Sequence, residues 1–91
     1  MTTKLFTAET DNAATSAGVD VVHVTGTLYA FGTFDSATVK LQASPDGGST
    51  WLDVTDASFT DAGMLRLNFA ATQIRADISG GGADTISFWI L

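Results

Sequence analysis

Cysteine is absent from the chain, and with it any disulfide framework or thiolate zinc site. Small extracellular domains of higher cells normally carry such bridges, so assembly in a reducing cytoplasm is the expectation. Basic residues are scarce: Lys4, Lys40, Arg66 and Arg75 stand against ten acidic residues, for a formal charge of −6. They are scattered along the chain, whereas phosphate binding needs a concentrated basic footprint, so nucleic acid is not an expected partner. No apolar stretch approaches the roughly 20 residues of a membrane helix. Met1 to Ala8 holds one lysine and no long apolar run, which is not a signal-peptide pattern. Proline occurs once, at Pro45, and histidine once, at His23. His23 has no second ligand type near it in sequence, so a packed or surface histidine is expected rather than a metal ligand or base. With no cysteine and no nucleophile–histidine–acid set to assemble, the chain is not expected to be an enzyme or to need a cofactor.

What is present is apolar. Hydrophobic residues make up 45% of the 91 and charged residues 15%, where soluble domains carry roughly a quarter charged. One domain of this length buries only about two thirds of its unfolded surface. Both facts point to a surface normally covered by a partner or by copies of the same chain.

Most segments alternate with period two between turn formers, which predicts strands. Lys4 to Thr7 reads as a short first strand or an arm, and Glu9 to Gly18 as a loop. Together they give an N-terminal segment, 1–18, ahead of a domain over 19–91. Val19 to Thr25 reads as one strand, and Gly26 to Phe34 continues it or starts another, with Gly26 and Gly32 marking bulges or bends. Ala37 to Ser44 puts Val39, Leu41 and Ala43 on one face. Trp51 to Thr55 returns beside it. Met64 to Phe69, Gln73 to Ser79 and Thr85 to Leu91 follow, the last two joined by a flexible turn at Gly80 to Asp84. No window carries a helical period. Seven or eight strands, most with one apolar face, predict a single antiparallel β-sandwich or jelly roll.

One motif is specific. Ser44-Pro45-Asp46-Gly47-Gly48-Ser49-Thr50-Trp51 matches S-x-D-x-G-x-T-W and resembles the Asp-box, a β-hairpin motif first described in sialidases. Its logic is local. The Asp46 carboxylate accepts hydrogen bonds from turn amides, Gly48 supplies an unusual backbone angle, and Trp51 covers the hairpin base. In sialidases these boxes lie away from the catalytic centre, so Ser44, Asp46, Gly48, Thr50 and Trp51 form a structural hairpin. A sialidase-type activity is a poor reading, because such enzymes are propellers several times this length with an arginine cluster.

The wider segment Gly32 to Val54 resembles the G-x-F-x-x-A-x-V-x-L-Q-x-S-P-D-G-G-x-x-W-x-x-V pattern of small β-sandwich proteins of tailed-phage structural gene clusters. Gln73-Ile74-Arg75-Ala76-Asp77-Ile78-Ser79-Gly80 is similar to a later strand of the same group, and the likeness covers roughly residues 20–91. The resemblance implies a virion protein: a capsid decoration (cement) protein on the capsid exterior, assembled in the host cytoplasm. It implies the major capsid protein as partner and a homo-oligomer, a trimer by preference. The alternative is a receptor- or glycan-binding module of a head or tail fibre. Such a module needs aromatic platforms on loops, and here Phe59 is the main aromatic outside the expected strands.

Two further groups bear on partners. Asp46, Asp53, Asp56 and Asp61 fall in the expected hairpin and the loop after it, where solvated turn aspartates are the default over a Ca²⁺ site. In the final strand, Ile86, Phe88 and Ile90 inward would leave Thr85, Ser87, Trp89 and Leu91 outward. Leu5, Phe6, Trp89 and Leu91 are therefore the candidate protein interface. Trp89 is either exposed there or covered by the N-terminal arm through Leu5 or Phe6.

Overall fold

The computed structural model describes residues 2–91; Met1, the first residue of the expected arm, lies outside the described residues. Eight strands follow in chain order: β1 (Thr3–Glu9), β2 (Val19–Asp20), β3 (His23–Thr33), β4 (Ala37–Ser44), β5 (Leu52–Phe59), β6 (Gly63–Ala70), β7 (Gln73–Gly80) and β8 (Thr85–Ile90). They form two four-stranded sheets, a front sheet ordered β1-β8-β3-β6 and a back sheet ordered β2-β7-β4-β5. Every strand pair is antiparallel. These two orders are those of a jelly roll, in which the chain passes repeatedly from one sheet to the other.

The alternation read from the sequence supplies the core. Val24, Leu28, Ala30, Leu67, Ile86, Phe88 and Ile90 from the front sheet meet Val39, Leu41, Ile74, Ala76 and Ile78 from the back sheet, all buried. Each large apolar side chain removed from water there contributes about 1.5–3 kcal/mol. Phe59 bridges the two layers, edge-on to Phe88 with ring centres 6.0 Å apart.

Three expectations change. The single strand expected over Val19 to Thr25 is two strands in different sheets: β2 pairs with β7, and β3 with β6 and β8. The chain crosses at Val21-Val22, where the Val21 amide donates to the Thr72 carbonyl and the Val22 carbonyl accepts from Ala71. The doubled valine breaks the phase of the alternation at this crossing. Second, β5 extends past Thr55 to Phe59, so Asp56 and Phe59 are strand residues rather than loop residues, while Asp53 lies in the strand as expected. Asp56 has a positive φ of 65°, and the β4–β5 register jumps between Lys40↔Ser58 and Gln42↔Asp53. That bulge lets an Asp-rich stretch stay in the sheet and still bury Ala57. Third, the turn before β8 buries Asp84 to 2% exposure.

The loop between β1 and β2 lies along β7. Ala14 O accepts from the Ile78 amide, and Ser16 exchanges backbone and side-chain bonds with Ala76. At Gly32, with φ 118°, β3 approaches β8 so closely that a Cβ would lie 2.0 Å from the Thr85 carbonyl oxygen.

Candidate interaction surfaces

The Asp-box-like segment folds as a self-bonded corner. Ser44 is wholly buried at the end of β4. Its hydroxyl donates to Asp46 Oδ1 at 2.9 Å and accepts from the Gly48 amide at 2.8 Å. Asp46 Oδ1 also accepts from the Thr50 amide at 2.8 Å. Hydrogen bonds from Thr50 foremost, with help from Ser44 and Ser49, hold the Asp46 carboxyl below its ordinary range. Gly48 takes φ 100°, and its carbonyl accepts from the Trp51 indole at 3.0 Å. The Arg75 guanidinium lies 4.3 Å from the Trp51 ring and bonds Gln42 Oε1 through Nε. Ser44, Asp46, Gly48, Thr50 and Trp51 thus come together, and Arg75 and Thr72 join them from β7 and the turn before it. Thr72 Oγ1 accepts from the Gly47 amide and donates to the Ser44 carbonyl. Sequence reading missed these two because β6 and β7 close onto the hairpin only in three dimensions. The unit's polar groups face one another, so its chemistry is structural.

Asp53 accepts from Gln42 at 2.9 Å and pairs with Lys40 at 3.4 Å. The Gln42 bond first, and the Lys40 charge second, hold its carboxyl below the ordinary range. Among the described residues, no three of His, Asp and Glu are grouped to hold a metal ion. His23 bonds Asn68 Oδ1 at 2.7 Å on the front sheet. Asp84 stands apart: both carboxylate oxygens are buried with no hydrogen-bond partner among the described residues.

The candidate interface divides. Phe6 is a core residue, 6% exposed, which corrects its expected place at the surface. Register shifts on either side of Phe6, together with positive φ at Ala8, turn its ring inward opposite Phe88. Leu5 packs half-buried against the core. Ser87, expected outward, is buried and accepts from the Ala8 amide. Trp89 does face outward and is half-covered by its neighbours. Lys4 Nζ lies 4.2 Å from its ring centre, Phe31 meets it edge-on at 5.0 Å, and its indole donates to Thr7 Oγ1. Leu91 is 49% exposed, its backbone bonded both ways to Thr27.

The register builds a larger surface from these pieces. Lys4 pairs with Trp89, Trp89 with Tyr29, and Tyr29 with Met64. The four side chains therefore form one row across the outer face of the front sheet. Phe31 stands beside the row, and Arg66 lies opposite Thr27 one step away. Met64 is 62% exposed and Phe31 38%. The outer face of a sandwich sheet is normally polar, and an aromatic row with Met, Lys and Arg is interface composition.

A second apolar area rounds the hairpin end. Shallow depressions of about 310 and 390 Å³ share Pro45, Ala70 and Ala71 and are bordered by Leu52 and Val22, both strongly exposed.

No protein-family model matches the chain, and no curated protein matches it.

Proposed function

We propose that this chain is a structural component of a tailed-phage particle, a head decoration (cement) protein that binds and stabilises the outer shell of major-capsid subunits. The observation that carries the reading is the aromatic row Lys4–Trp89–Tyr29–Met64 on the outer face of the front sheet. The two-layered jelly roll presents that row on the open outer face of a sheet, and such a face suits docking on a protein surface rather than enclosing a small molecule. The resemblance of Gly32 to Val54 and Gln73 to Gly80 to phage sandwich proteins gives the face its setting. Each copy contributes modest buried area, and many copies on one shell make the sum large. Homotrimeric assembly on the capsid exterior is part of the proposal.

The test is the copy number of the chain in purified virions, by quantitative mass spectrometry against the major shell protein. A number comparable to that protein is the expected result. A few copies per particle would move the chain to a fibre, neck or tail, and absence from particles would end the virion reading.

A further inference from the structure

We infer that the front sheet's outer face is the docking face and that it meets an acidic, partly apolar protein surface. The inference rests on the structural role proposed above and names the chemistry of the partner.

Charge is distributed unevenly between the sheets. Of the ten acidic residues, only Glu9 belongs to a front-sheet strand. The back sheet carries Asp20, Asp53, Asp56 and Asp77, and the turns carry the rest. Two of the four basic residues, Lys4 and Arg66, stand on the front face. The other two are engaged locally, Lys40 with Asp53 and Arg75 with Gln42 and Trp51. Arg66 makes no ion pair among the described residues, although Asp56 of the back sheet lines one depression with it, and Lys4 has only the Trp89 ring. A chain of net charge −6 therefore shows one face that has cations and no carboxylate among its aromatic groups. Carboxylates on a partner complement that face and would be repelled by the rest of the molecule.

The rival surface is the apolar area at the hairpin end. Its two depressions are lined mainly by Ala, Val, Pro, Leu and Phe, with Ser44, Asp53, Thr55 and Thr72 among them, and hold no Trp, Tyr or Arg. Binding energy concentrates in Trp, Tyr and Arg anchors, and the front face holds one of each in Trp89, Tyr29 and Arg66. The front face is therefore the docking face.

The experiment has two arms. In the first, purified shells of the encoding phage are titrated with the wild-type chain and with Lys4→Glu, Met64→Glu and Arg66→Glu, using Leu52→Glu and Val22→Glu as controls that match the one-unit charge change of Met64→Glu. All five side chains are exposed, and thermal melts check that each variant is folded. The front-face variants are expected to weaken binding about tenfold or more, and the controls to stay within about twofold. Amidation of shell carboxylates with carbodiimide is expected to abolish binding by the wild type. Loss confined to the controls, or full binding to amidated shells, would overturn the docking face while leaving the decoration role standing. In the second arm, a random peptide library is panned on the full chain and binding is mapped by NMR. Acidic peptides with apolar residues that shift Trp89 and Tyr29 are expected. Should shells fail to bind while such peptides are selected, the decoration role falls and the docking face stands. No selected peptide, non-acidic peptides, or shifts confined to Val22 and Leu52 would overturn the inference.

Discussion

The buried Ser44 hydroxyl donates to Asp46 Oδ1 at 2.9 Å while accepting the Gly48 amide at 2.8 Å. One oxygen thereby ties the end of β4 to both the acid and the glycine of the hairpin. Ser44→Ala removes both bonds inside a site closed to water, and leaves the Gly48 amide without its acceptor. The expected cost is about 1–3 kcal/mol, read as a lower thermal midpoint with the sheet spectrum retained.

Acid is expected to loosen the same region. The Asp46 and Asp53 carboxyls are both held below the ordinary aspartate value of 3.8. A depressed folded-state value means that the stabilisation is complete above the unfolded value and is lost as pH falls through the folded one. Urea midpoints are therefore expected to be flat near neutrality and to drop below about pH 4. The double variant Asp46→Asn, Asp53→Asn should show a shallower acid limb. An unchanged limb would mean that other groups govern acid unfolding.

Asp84 is expected to behave in the opposite sense to Ser44. Its carboxylate is buried with neither oxygen bonded, and an unpaired buried charge is a cost to the fold. Asp84→Asn keeps the shape and removes the charge. The Asn amide is left unpaired in turn, so only a small rise of the thermal midpoint is expected. A lowered midpoint would show that the carboxylate is held by a group the described contacts do not include.

Gly32 tests the closeness of β3 to β8. A methyl group there would press on the Thr85 carbonyl at 2.0 Å, at a backbone angle that side chains rarely adopt. Gly32→Ala is expected to destabilise by at least about 1–3 kcal/mol and to speed hydrogen exchange at the β3–β8 amides. The mobile far end of a side chain could give way at such a distance, but a carbonyl locked in a sheet cannot.

Met64 provides the contrast. At 62% exposure, Met64→Ala should change stability by no more than about 0.5 kcal/mol, whereas Phe88→Ala in the core should cost about 3–5 kcal/mol. If Met64→Ala is as costly as a core truncation, the row on the front sheet packs within the chain and is not a free surface.

Much of the fold was legible one strand at a time. The alternation in Ala37 to Ser44, Met64 to Phe69 and Gln73 to Ser79 names the inward residues Val39, Leu41, Leu67, Ile74, Ala76 and Ile78, because period two is a local property of extended backbone. The hairpin at Pro45 to Trp51 was legible for the same reason: its acceptor, its glycine and its covering indole all lie within eight residues. Phe6 was misplaced because a bulge reverses a side chain without leaving a mark in the alternation. Asp56 reads as a loop residue because its surroundings have the composition of a loop, and only the bulge in β5 keeps it in the sheet.

The sequence by itself determined that the chain is an all-β sandwich, most of the residues that fill its core, and where its one specific hairpin lies. These follow from side-chain periodicity and turn chemistry, which act over a few residues. The tertiary structure alone decided the strand order, the passage from back sheet to front sheet at Val21-Val22, and the burial of Asp84. It alone brought Lys4, Trp89, Tyr29 and Met64 into one row, since these come from four strands spread over the whole chain. Their meeting depends on the register between strands, and register is set by the packing of both sheets together.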